Sequence, residues 1–139
     1  MNSKEFKIKY AELMKMCMYL EDELRRYYAL VNEKYKDIDD YMRIWEEKEE
    51  DSMGQLINLL NVNDPKYLIS EDFINNLIKA KGIRNYYAHE VFLNSKIIKK
   101  DVVLPEFEKK INNDYIFLNS MYDEVCEKYE IKLNQRYKK

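Results

Sequence analysis

Glycine and proline are nearly missing from this sequence: two of each among 139 residues. Folds that turn every few residues need more of both, so a sandwich or barrel of short strands is excluded. Histidine occurs once, at His89, and cysteine only as Cys17 and Cys126. One imidazole and two distant thiols do not make the ligand set of an ordinary zinc site, so no metal and no cofactor are expected. The cysteines are expected as buried, reduced thiols. No run of about 18 apolar residues is present, so no membrane-spanning helix is expected. Met1-Asn2-Ser3-Lys4-Glu5 opens on mixed charge, not on an apolar signal segment, and the expected location is the cytoplasm. There is no glycine-rich phosphate loop. The net charge of −2 supplies no global pull on nucleic acid, so any RNA contact must come from a local basic patch.

What is present fits a helical domain. Apolar residues make up 46% and charged residues 36% of the chain, enough to fold and enough to solvate the outside. The abundance of Glu, Lys, Leu, Met and Tyr favours a few long helices. The length suits one domain, residues 1–139.

The first helix is expected over residues 3–35. Phe6, Tyr10, Leu13, Cys17, Leu20, Leu24, Tyr27 and Val31 step alternately by four and three, an apolar stripe sustained over nearly four heptads. Tyr19 and Tyr28 widen that stripe toward a partner chain. Asp39 or Asp40 is the expected cap of a second helix over about 40–62. It contains Gly54 and ends at Asn61-Val62-Asn63-Asp64-Pro65. Its acidic run, Glu46 to Asp51, is either a solvated face or a docking surface for a basic partner. Ser70 caps a third helix over about 71–93, with Phe73, Leu77, Ala80, Tyr87 and Val91 as its core stripe and Asn94-Ser95 as its stop. Residues 96–104 are expected as loop, with a strand as the alternative. Pro105 opens a last helix over about 105–135, on a stripe from Phe107 through Ile111, Leu118 and Val125 to Leu133. The expected fold is all-α: an antiparallel up-down bundle of four long helices, with room for one short extra helix.

Lys81-Gly82-Ile83-Arg84-Asn85-Tyr86-Tyr87-Ala88-His89-Glu90 carries the chemistry. A helix turns about 100° per residue, which puts Lys81, Arg84, Asn85 and His89 on one broad face beside the core stripe, floored by Ala88 and Phe92. Arg, Asn and His beside a core are either satisfied structurally or form a site, because burying them unpaired is costly. A guanidinium grips phosphoryl oxygens bidentately and keeps its charge. An imidazole takes and returns a proton near neutral pH. Gly82 leaves room for a ligand or a second chain. One histidine supplies one acid–base group, and in-line RNA cleavage through the 2′-hydroxyl wants two. A two-fold dimer brings the second.

Arg84-Asn85-Tyr86-Tyr87-Ala88-His89 resembles the motif of the HEPN superfamily (higher eukaryotes and prokaryotes nucleotide-binding domains), in which four to six residues separate an arginine from a histidine. The polar residue after the arginine and the place before a last long helix are also similar. The resemblance implies a HEPN-like fold and a metal-independent endoribonuclease, active as a homodimer on RNA. It implies the toxin of a prokaryotic toxin–antitoxin or phage-defence (abortive-infection) system, with an antitoxin partner that is nucleotidyltransferase-like or of another kind. His89 is then the general acid–base, Arg84 holds the scissile phosphate and Asn85 supports the pair. Lys81 and Tyr86 are candidate substrate contacts. In the branch paired with a nucleotidyltransferase a tyrosine stands two residues past the histidine; here that residue is Val91. Two other readings stay open at this point: a HEPN-fold module that binds RNA, nucleotide or protein without cleaving, and a structural adaptor whose Arg84 and His89 are satisfied by carboxylates.

Overall fold

The computed structural model describes residues 1–32, 36–60, 69–91 and 98–137. It is mostly helical. Among the described residues it contains α1 (Ser3–Val31), α2 (Ile38–Glu47), α3 (Met53–Leu59), α4 (Glu71–His89) and α5 (Pro105–Tyr137), with a hairpin of β1 (Ile98–Lys99) and β2 (Val102–Val103) before α5. The helix ends expected at Asn61–Pro65 and at Asn94-Ser95, and the expected floor residue Phe92, lie outside the described residues. No described helix is long and apolar enough to cross a membrane.

Short polar side chains start the helices by taking up backbone N–H groups that have no partner inside the helix. Asn2 accepts from Glu5 N at 2.8 Å, Asp37 from Asp40 N at 3.0 Å and Ser70 from Phe73 N at 3.1 Å. Ser70 is the cap that the sequence indicates; on α2 the cap is Asp37 and not Asp39 or Asp40. Pro105 opens α5, where its missing N–H costs nothing.

The single helix expected over 40–62 is two. Ser52 and Gln55 form a reciprocal capping box, Ser52 N donating to Gln55 Oε1 at 2.7 Å and Gln55 N to Ser52 Oγ at 3.3 Å. The interruption is held from behind by Arg25 on α1. Its Nε donates to the Lys48 carbonyl at 2.7 Å and its Nη2 to the Asp51 carbonyl at 3.1 Å. Most of the acidic run is therefore in and beside this break, with Glu46, Glu47, Glu49 and Glu50 exposed.

Side-chain contacts give the direction of the helices. Along α1 and α5 the partners rise together. Lys9 Nζ lies 4.1 Å from the Tyr115 ring centre, the Tyr19 and Tyr122 rings are 6.2 Å apart, and Arg136 Nε donates to the Leu30 carbonyl at 2.7 Å. Along α4 and α5 they run oppositely: Lys128 lies over Phe73, Lys79 over Phe117 and Lys110 over Tyr86. α2 doubles back over the end of α1, with Ile44 on Ala29 and Leu30. α3 runs against α4, Gly54 lying beside Lys81 and Leu60 near Ile74. Each helix reverses the one before it. Among the described residues there are five helices, α3 being a short one of the kind the expected bundle had room for, and α1 and α5 lie parallel where a bundle of four would set its first and last helices antiparallel.

Residues 98–103 form the hairpin, pairing Ile98 with Val103 and Lys99 with Val102. Its turn residues Lys100 and Asp101 have φ of 50° and 65°, a left-handed conformation that favours Gly or Asn. The start of the chain braces it: Val103 N donates to the Met1 carbonyl and Ser3 N to the Asp101 carbonyl.

The stripes predicted for α1 and α4 face inward. Phe6, Leu13, Cys17, Leu20, Leu24, Tyr27 and Val31 of α1 are buried against Phe73, Leu77, Ala80 and Tyr87 of α4 and Ile111, Leu118 and Val125 of α5. Burial pushes the Cys17 thiol up to about 12, against the opposing pull of Arg84. No reactive thiolate then exists at ordinary pH. In the native protein at pH 8, Cys17 is expected to stay unmodified by iodoacetamide and to react on unfolding, as peptide mass mapping will report. Labelling at the same rate in both states contradicts the burial.

Candidate functional site

The candidate residues stand on the second half of α4, which is pinned on its core side by Ala80, Ile83 and Tyr87. The Tyr87 hydroxyl donates to Asp114 Oδ2 on α5 at 2.8 Å, and Lys110 Nζ reaches the same oxygen at 2.7 Å. Burial, with the Asp114 hydrogen bond, raises the Tyr87 hydroxyl well above the ordinary tyrosine range, so it remains a donor. Tyr87 thereby fixes the rotation of α4, and that rotation decides which residues face α3.

Lys81, Arg84 and Asn85 face α3. Together with Ser52, Met53 and Gly54 they line a pocket of about 220 Å³. Arg84 Nη1 donates to Asn85 Oδ1 at 3.2 Å. Arg84 is half-buried, and among the described residues no carboxylate lies within ion-pair distance of it. The other four arginines are engaged. Arg25 binds two carbonyls and Asp22; Arg26 pairs with Asp22 and Glu23, Arg43 with Asp40 and Arg136 with the carbonyls of Leu30 and Asn32. Among the described residues, Arg84 is thus the arginine whose fork has only a neutral amide oxygen for company.

His89 is the last residue of α4 and is exposed. It lies on the same helix, about 7.5 Å further along the axis than Arg84. It does not line the Arg84 pocket, and no described side chain bonds to it. Tyr86 is not brought to that pocket either. It is half-buried on the α5 side, edge-on to Tyr87 with ring centres 5.0 Å apart, and Lys110 Nζ sits 4.6 Å from its centre. Of the five residues singled out in the sequence, three share a pocket, one ends their helix on open surface, and one packs on the opposite side. Gly82 is exposed, with no heavy atom within 4 Å of where a Cβ would stand.

The opposing wall of the pocket is what the helical wheel did not provide. Ser52, Met53 and Gly54 belong to the start of α3, and the sequence signal for it was the Ser52–Gln55 capping pattern inside an apparently continuous helix. Val91 is 1% exposed and belongs to the core, so the position two residues past the histidine presents no group for modification.

No protein-family model, curated protein or solved structure matches the chain.

Proposed function

We propose that this chain is a metal-independent endoribonuclease of the HEPN type. It acts as a homodimer whose two-fold cleft gathers Arg84 and His89 from both protomers, and it serves as the toxin of a toxin–antitoxin or phage-defence system. The observation that carries the reading is the unspent guanidinium of Arg84. In a chain with 26 acidic residues, a half-buried arginine without a described carboxylate is suited to an anion brought from outside. The adaptor reading needs a carboxylate on Arg84, and none of the described ones is there.

The chemistry follows from the groups available. One His89 removes the proton of the 2′-hydroxyl, whose oxygen attacks the adjacent phosphorus. The bond from phosphorus to the 5′-oxygen breaks, and the partner's His89 protonates that leaving oxygen. The products are a 2′,3′-cyclic phosphate and a free 5′-hydroxyl. Arg84, oriented by Asn85, neutralises the charge that builds on the phosphoryl oxygens, and Lys81 adds a second positive charge to the same pocket. A single protomer has one imidazole and cannot fill both proton-transfer roles at once, so dimerisation is part of the mechanism.

The test is cleavage of total RNA in EDTA, with the solution mass measured on the same sample. The wild-type chain is expected to be a dimer and to cleave. Arg84→Lys keeps the charge and loses the fork, and is expected to lower the rate by about 10²–10³-fold. A chelator-sensitive activity, a monomer that cleaves, or wild-type rates in Arg84→Lys each contradict the reading.

A further inference from the structure

The Arg84 pocket does not end at Lys81. Gly54 and Lys81 also line a second, larger cavity of about 580 Å³ that continues between α3 and α4. Most of its described lining side chains are apolar, Ile57, Leu59 and Leu60 from the α3 side and Ile74 and Ile78 from α4, and Asn58 adds an amide to them. Ile78 is 48% exposed there although it is a large apolar side chain. Among the described residues, neither cavity is lined by an Asp or Glu. Lys81, at their junction, forms no described ion pair. A cationic, amide-bearing pocket therefore opens into an apolar slot across a junction where one wall is glycine.

An occupant that matches both parts has an anionic end and a flat, largely apolar body carrying hydrogen-bonding edges. That is a nucleoside phosphate. We propose that the groove between α3 and α4 is a nucleobase subsite, receiving the base that adjoins the phosphate held at Lys81, Arg84 and Asn85. The inference rests on the ribonuclease reading for the polymer to which that nucleotide belongs, but not for the binding itself. Ile74 and Ile78 cover one face of the base. The Asn58 amide, which both donates and accepts, meets an edge that offers both, as adenine does. Gly54 keeps the passage between phosphate and base open; a Cβ there would stand 3.2 Å from Lys81 Cδ. Base selection then resides in Asn58 of α3, the short helix that the break after α2 creates.

The proposal is tested by calorimetric titration of the wild-type protein with inorganic phosphate and with adenosine 5′-monophosphate. The nucleotide is expected to bind about tenfold more tightly, the effect of removing one apolar base face from water. Ile78→Ser lies outside the core, so its thermal unfolding should match wild type. It is expected to bring nucleotide affinity down to that of phosphate and to leave phosphate affinity unchanged. Equal affinity for the two ligands in the wild type, or a nucleotide preference that survives Ile78→Ser, overturns the subsite. Ile78-dependent nucleotide binding without RNA cleavage keeps the subsite and removes the ribonuclease. His89-dependent cleavage without nucleotide preference does the reverse.

Discussion

Replacing His89 by Ala is expected to leave the fold unchanged and to lower metal-independent RNA cleavage by about 10²–10⁴-fold, the worth of a positioned acid–base group. The two halves of that expectation have separate grounds. His89 is exposed, ends α4 and bonds to no described side chain, so its removal opens no cavity and strands no buried partner. The cap that follows is made by the backbone, Glu90 N donating to the Tyr86 carbonyl at 2.8 Å, and survives the change. The expected catalytic loss rests on the proposed composite site, in which each protomer's only imidazole would serve one proton transfer. Mixed dimers of wild-type and variant chains are expected to lose most of their activity as well, because one of the two transfers is then unserved. Rate measurements with circular dichroism on the same preparation decide between outcomes. Retained cleavage removes His89 from the mechanism, and a lost fold makes it structural.

The largest stability effect is expected at Arg25, which does not itself line the Arg84 pocket. Arg25 is 8% exposed, yet it is charged, and its guanidinium is spent on the carbonyls of Lys48 and Asp51 and on Asp22. Arg25→Ala leaves two carbonyls of the α2–α3 break without their donors in a partly buried place. The expected cost is about 3–4 kcal/mol, a drop in melting temperature of roughly 10 °C for a chain of this size. The exposed Arg43, paired with Asp40 on α2, is the control. Its removal should cost less than about 1 kcal/mol. Since α3 begins where Arg25 lets go, Arg25→Ala should also weaken anion binding at Lys81, Arg84 and Asn85. An Arg25→Ala protein as stable as Arg43→Ala contradicts the bracing role.

What the sequence revealed and what it hid have the same physical source. The stripe on α1 was legible because eight apolar residues keep one period with no Gly or Pro to interrupt it. Seven of them, all but Tyr10, are buried. Ser70 and Pro105 were legible as starts because each has one local job. The break at residues 48–52 was not, since neither glycine nor proline marks it, and a long-range contact from Arg25 is needed to hold it open. That break changed both the helix count and the site. It supplied the wall facing Arg84 and turned an expected pair of antiparallel outer helices into a parallel one. The wheel grouped Lys81, Arg84, Asn85 and His89 on one face; the first three share the pocket, and His89, at the end of the helix, does not line it. Residues 98–103 turned out to be the strand alternative to the expected loop; Lys100 is a poor residue for the left-handed turn, accepted where the first residues of the chain brace the strand beside it.

The parallel pairing of α1 with α5 also sets an order in time. α1 packs more extensively on α5 than on any other described element, and the two are joined through almost the whole length of the chain. As synthesis proceeds from the N-terminus at about 5–20 residues per second, the α1 stripe emerges first, and only its contacts with α2, α3 and α4 can form before the α5 side is covered. The core cannot close early, and neither can the α3–α4 pocket that leans on it. A chain truncated before Pro105 lacks the largest packing partner of α1 and is expected to have no stable core.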